Sequence, residues 1–286
     1  MSRTQLAKQA LEKSLEVREE YGYDFRSPLC VYELADRAGV KVQFVNDVSM
    51  EGVYAALAKP TVLLSSLRPL TRRAFTCGHE LGHHFFGHGS TIDELKDDLK
   101  NTTFLPDEFL ADTFAGFLLL PAQGVKRAFS TRGLAVTTAT PEGIYQVASS
   151  FGVGYETIIG HLQYSLRYIS APRANILRRS TLPQVRERIL GFATQCPLVI
   201  ADRHHALGTL DAEVGTLVLL PAGATTDSAH IAPFEDTRNG TVFRALRPGL
   251  ARVSIPGGTW GVIVRVSRKD YAGLARYRHL EETEGD

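Results

Sequence analysis

Cysteine is scarce in this chain: three among 286 residues, at positions 30, 77 and 196. A set that small, odd and scattered cannot build a disulfide framework, and it fits a reduced compartment. A surplus of one charge is missing as well. Lysine and arginine total 32 against 31 aspartates and glutamates, a net of +1, which excludes a polycation that coats nucleic acid along its whole length. Long apolar runs are absent. The longest, Phe114 to Ala122, is about half of the roughly 20 residues that a membrane helix needs. The N-terminal stretch MSRTQLAKQALEKSLEVREE is charged and amphipathic, without the apolar centre of a secretory signal. Repeats and low-complexity tracts are lacking too. These absences point to a cytoplasmic protein with no membrane partner.

What is there is a globular mixture, 44% hydrophobic and 22% charged, which excludes a disordered chain. The length suits one large domain or two of about 150 residues. Residues 4 to 20 have helical spacing, with Leu6, Ala10, Leu11 and Leu15 on one side. A short helix over Tyr32 to Ala38 ends at Gly39, and strands follow at Val40 to Val45, Gly52 to Ala58 and Thr61 to Leu64. A helix opens near Thr71, a plausible N-cap, and closes at Gly87-His88-Gly89. After an acidic connection comes an apolar helix over Asp107 to Leu120, stopped by Pro121, and two short helices fall between Pro141 and Ser170. Arg173 to Gln184 reads as a linker. Beyond it, short strand-like runs at Leu198 to Ala201, Leu217 to Leu220, Val242 to Leu246, Arg252 to Ile255 and Trp260 to Val266 alternate with turns, and a helix near Tyr271 to Leu280 closes the chain. The fold class expected is α+β, with a division into 1–122, a helical segment and linker at 123–180, and a mainly β part at 181–286.

The chemistry is concentrated in His79-Glu80-Leu81-Gly82-His83. Positions i and i+4 share a helix face, so both imidazoles can reach one zinc ion, and Glu80 projects beside them to serve as a general base. A catalytic zinc site takes a third protein ligand and keeps one position open. Glu108 lies 25 residues after His83, and Asp112 is one turn further along the same apolar helix. That spacing suits a ligand carboxylate followed by one that orients a ligand histidine. Asp107 is the rival to Glu108 and reads as an N-cap. His84 and His88 point away from the ligand pair and read as capping or surface residues; Cys77 reads as a small buried hydrophobe. Tyr54, Arg72, His161 and Tyr164 could each donate to a developing oxyanion.

The run RRAFTCGHELGHHFFGH followed by EFLADTFAGFLLLP resembles the ImmA/IrrE metallopeptidases, over about residues 5 to 170. The resemblance implies a minimal zincin-like, gluzincin-type core that binds Zn²⁺ through His79, His83 and Glu108, with Glu80 as base. It also implies restricted endopeptidase activity on a protein substrate, a helix-turn-helix repressor, in a stress or mobile-element response. It favours Tyr164 as the catalytic donor, because the later helices of such proteins reach the cleft. Leu64-Ser65 departs from the family, which often has Asn after that strand.

Residues 143–164 have a helix, glycine turn, helix cadence, and seven basic against two acidic residues lie between 123 and 180. The second helix, YETIIGHLQYS, carries no lysine or arginine to read bases. DNA binding is therefore the weaker expectation, and a zinc-containing regulator without proteolysis is the rival to the peptidase. The last hundred residues carry no ligand spacing. His204-His205 reads as an exposed turn, and Trp260 as either core or a binding platform. By analogy of architecture alone, this part senses a signal or recruits substrate.

Overall fold

A computed structural model describes residues 1–94, 104–205 and 208–280. Most of the acidic connection before the second metal-site helix lies outside the described residues. The described residues form two compact units, each assembled from separate stretches: those within 1–127, 160–167 and 270–276 make the first, and those within 128–159, 168–269 and 277–280 make the second. The class is α+β.

The first unit opens with α1 (Arg3–Glu20), capped by Ser2 and Gln5 in a reciprocal capping box, and α2 (Val31–Arg37). Strands β1 (Lys41–Val45), β2 (Met50–Ala55), β3 (Thr61–Ser65) and β4 (Thr91–Glu94) follow, with α3 (Leu70–Phe86) between the last two. Helix α4 (Pro106–Leu119) completes the run, and α5 (Ala122–Thr131) runs through the boundary after Arg127. The sheet order is β12-β1-β3-β2-β4, where β12 (Gly273–Leu274) arrives from near the C-terminus. It pairs antiparallel with β1, Gln43 opposite Leu274. The helix expected over Tyr271 to Leu280 does not form; β12 and a 3₁₀ turn at Ala275–Tyr277 occupy its place. The cause is local. Gly273 has φ +140°, a conformation that a helix cannot use and that side chains other than glycine resist.

Arg18 ties this unit together. It is fully buried on α1 and donates to the carbonyls of Asp24 and Ser27 and to Leu118, in the last turn of α4. A cation there answers carbonyls that the helix end leaves unpaired. Burial, only partly opposed by Asp24, pulls its pKa down to about 10.

In the second unit, α6 (Pro141–Ser150), α7 (Tyr155–Gly160), α8 (Ala171–Arg178) and α9 (Leu182–Leu190) precede the strands. The expected linker is thus helical. Ser170 and Thr181 cap α8 and α9, Gln184 bonding back to the Thr181 N–H. Strands β5 (Leu198–Ile200), β7 (Leu217–Leu220), β9 (Gly240–Ala245) and β8 (Ile231–Thr237) form one sheet, and β10 (Gly249–Ser254), β11 (Gly261–Ser267) and β6 (Thr209–Glu213) another. All four residues of β7 are buried because both its faces are covered. Leu217 and Leu219 pack with Val185, Ile189 and Leu190 of α9, whereas Val218 and Leu220 pack with Val253, Val262 and Val264 of the other sheet. Trp260 packs against that second cluster and donates to the Asp202 carbonyl, so it belongs to the core.

Candidate metal centre

The site depends on how closely α3 and α4 approach. A methyl group on Gly82 would lie 2.8 Å from the Ala111 Cα, and one on Gly78 would lie 3.3 Å from the Ala115 side chain. Two glycines inside a helix cost about 1 kcal/mol each relative to alanine. Here they let the two backbones nearly touch. The expected N-cap of α3 is displaced: Pro69 holds that place and Thr71 lies inside the first turn. Pro106 begins α4, and Asp107 and Glu108 occupy its first turn, where carboxylates suit the helix dipole. Asp107 is therefore not the N-cap, which falls to Leu105.

Where the helices cross, His79, His83 and Glu108 bring ligand atoms within 4.8 Å of one another. The two Nε2 atoms are 3.0 Å apart, and the Glu108 carboxylate oxygens lie 3.5 Å from His83 Nε2 and 3.6 Å from His79 Nε2. Ligands of one tetrahedral zinc ion, at bond lengths near 2.0–2.1 Å, stand about 3.3 Å apart. The separations fit such an ion. His79 Nδ1 lies 2.8 Å from Asp112 Oδ1; the ring N–H donates to the carboxylate, which leaves the Nε2 lone pair facing the common point. Asp112 does this from an exposed position, 62% of its side chain open to solvent, so burial is not what recruits it to a cation. Burial, and then the neighbouring His79, push the pKa of His83 down to about 4, which keeps it neutral as a ligand must be.

Glu80 is fully buried beside the ligand pair. Thr91 of β4 donates to its Oε2 at 3.2 Å. On the other side a methyl group at Gly52 of β2 would come within 2.5 Å of Glu80 Oε1 and of Thr76 Cγ2. Helix α3 therefore lies directly on the sheet at this glycine.

Several neighbours differ from expectation. His84 is not a surface residue but bonds through Nδ1 to the Tyr54 hydroxyl at 2.8 Å. His88 is turned back beneath the helix end, with its Nδ1 3.0 Å from His83 Nδ1. Arg72 pairs with Glu51. His161 is buried against the backbone of α4, where Gly116 makes room for its ring, and its Nε2–H donates to the Leu120 carbonyl at 3.0 Å. Burial pulls its pKa to about 4. Tyr164 lies on the π-helical turn His161–Ser165 and is 69% exposed. Cys77 is buried. His205, far along the chain, is buried too, while His204 is exposed.

Two imidazoles and a carboxylate around one point, with a second carboxylate beside them, form a donor set that could hold a metal ion. The chain belongs to a peptidase family whose model, described as the IrrE N-terminal-like domain, matches residues 16–162, just over half of the sequence. Among curated proteins none matches the chain. No helix of the described residues is long and apolar enough to cross a membrane.

Proposed function

We propose that this chain is a zinc-dependent endopeptidase of narrow specificity, with a zincin-like core, acting in the cytoplasm. The observation that carries the reading is the convergence of His79, His83 and Glu108 next to a fully buried Glu80. Two imidazoles with one carboxylate favour zinc over harder ions. Zinc held there supplies a Lewis acid for a peptide carbonyl and brings the pKa of a water to about 7.

The protein's own groups carry the proton. Glu80, steadied by the Thr91 hydroxyl, takes it from the attacking water and returns it to the leaving amine. Asp112 holds His79 in the Nδ1-protonated form. Tyr164, exposed on its turn, donates to the developing oxyanion. The substrate we infer from the family resemblance is a helix-turn-helix repressor, cut in a stress or mobile-element response, with residues 181–286 sensing the signal or recruiting the target. The DNA-binding alternative is weakened because basic residues that would serve it are engaged: Arg132 with Asp202, Arg173 with the Ala139 carbonyl and Arg178 with Glu156.

Glu80→Gln is the decisive variant. It should retain about one zinc per chain while cleavage of a candidate helix-turn-helix repressor substrate falls by at least about 100-fold. Undiminished cleavage by that variant would end the reading.

A further inference from the structure

His88 lies outside the five-residue motif from His79 to His83, and its i, i+4 spacing is with His84, not with either ligand histidine. The backbone puts it at the centre all the same. Gly87 ends α3 in the left-handed conformation, φ 69°, and the His88 N–H bonds to the His83 carbonyl at 3.0 Å. This six-to-one closure folds the chain back under its own last turn. The His88 ring stacks on Phe86 at an interplanar angle of 10° and meets the His83 ring edge-on. Its side chain is 10% exposed.

The contact between the rings runs from nitrogen to nitrogen, Nδ1 to Nδ1, at 3.0 Å. One of the two must carry the hydrogen. If His88 donated, His83 would be protonated at Nε2 and would have no lone pair for a cation. The surroundings of His88 choose the other arrangement, since its Nε2 faces Asp107 Oδ1 at 3.7 Å. A carboxylate on that side favours the proton on Nε2 of His88 and leaves its Nδ1 as an acceptor.

We propose that His88 is a positioning residue for the metal centre: its Nδ1 accepts the Nδ1–H of His83 and so fixes the tautomer whose Nε2 lone pair faces His79 and Glu108. His79 has the same arrangement with a carboxylate, Asp112, as acceptor. The two candidate ligand histidines are thus oriented by different chemistry, one by an exposed carboxylate and one by a largely buried imidazole. Asp107 faces His88 across 3.7 Å, a gap too long for a hydrogen bond.

The inference rests on the metal-centre reading, and the test separates the two. Zinc affinity of the full chain is measured by competition with a chromophoric chelator, for wild type, His88→Leu and His88→Asn, alongside melting of each metal-free protein. Leucine removes the acceptor and should weaken zinc by about 10- to 100-fold. Asparagine sets an oxygen near the place of Nδ1 and should recover most of that loss. Metal-free melting should stay within about 3 °C of wild type for both variants. Wild-type affinity in His88→Leu would overturn the proposal, and so would an asparagine variant as weak as leucine. Loss of zinc paralleled by a large drop in metal-free melting would overturn it in favour of packing alone. A wild-type chain that binds no zinc would instead refute the metal centre itself.

Discussion

In the second unit Asp202 is surrounded by hydrogen-bond donors: Arg132 on both oxygens at 2.6 and 2.9 Å, Gln146 at 2.6 Å, and the His204 backbone N–H at 2.9 Å. Asp211 is similar, held by Arg265 and Arg278. Burial raises its pKa, but Arg278 and then Arg265 outweigh that and bring it down to about 2. In the first unit the arrangement is inverted. His79 Nε2, His83 Nε2 and the Glu108 carboxylate are all electron-pair donors, and they face one another at 3.0 to 3.6 Å. An anion matched by donors is complete within the protein and stabilises the fold. Electron pairs gathered at one point are complete only when a cation joins them. The sign of the nearest neighbours, more than burial or residue type, separates a structural cluster from a site.

The contrast can be broken most directly by removing one carboxylate from each cluster. Asp202→Ala leaves Arg132, only 5% exposed, without its anion, and should cost about 3–5 kcal/mol in urea unfolding of the metal-free protein. Glu108→Gln in the same assay should cost under about 1 kcal/mol, while zinc binding is lost. Equal costs would show that both clusters are structural.

Acid sharpens the comparison next. His161 in the first unit and His205 in the second are buried and neutral, each with its pKa brought to about 4 chiefly by burial. The unfolded chain takes up these protons below about pH 6.5, whereas the folded chain does not until about pH 4. Stability should therefore fall as pH drops through that window and level off beneath it. Each histidine contributes at most about 3 kcal/mol of the loss. With metal removed by chelator, His161→Gln should flatten the pH profile of unfolding, and an unchanged slope would rule out its share.

The smallest effect concerns the helix crossing. Gly82→Ala places a methyl against the Ala111 backbone and should destabilise by about 1–3 kcal/mol. It should also weaken zinc binding, because the two ligand-bearing helices are pushed apart. Stability lost with zinc affinity intact would mean that the crossing does not set the ligand geometry.

Much of this was legible from residue order. The candidate pair His79 and His83, with Glu80, follows from helical spacing, whereas Glu108 and Asp112 come from the next apolar helix and the family resemblance. Helix α3 appears close to its observed bounds because its apolar face is periodic, and α4 because its run is apolar throughout and Pro121 stops it. The misses have physical reasons. Strand β6, TLDAE, has too little apolar alternation to stand out, and β8 carries Pro233 and two acidic residues. The caps Ser170 and Thr181 were readable as helix starts, but the arginines around them suggested a linker. The role of His88 depends on a left-handed glycine that reverses the chain, which helical spacing alone cannot show. Its available signal was Gly87, one residue before. The assembly of each unit from separated stretches was beyond reach, since periodicity reports elements and not their partners.

Strand β12 has a consequence for inheritance. Gly273 and Leu274 complete the sheet that carries Gly52, against which Glu80 rests, yet they are encoded about 165 codons after Glu108. The Arg276 guanidinium, two residues on, pairs with Asp36 in the same unit. A stop codon or frameshift shortly before them would leave His79, His83 and Glu108 in the polypeptide and strip one edge from the sheet, exposing β1 to pairing with other chains. A gene interrupted that late would encode all the chemistry and lack part of the frame that holds it.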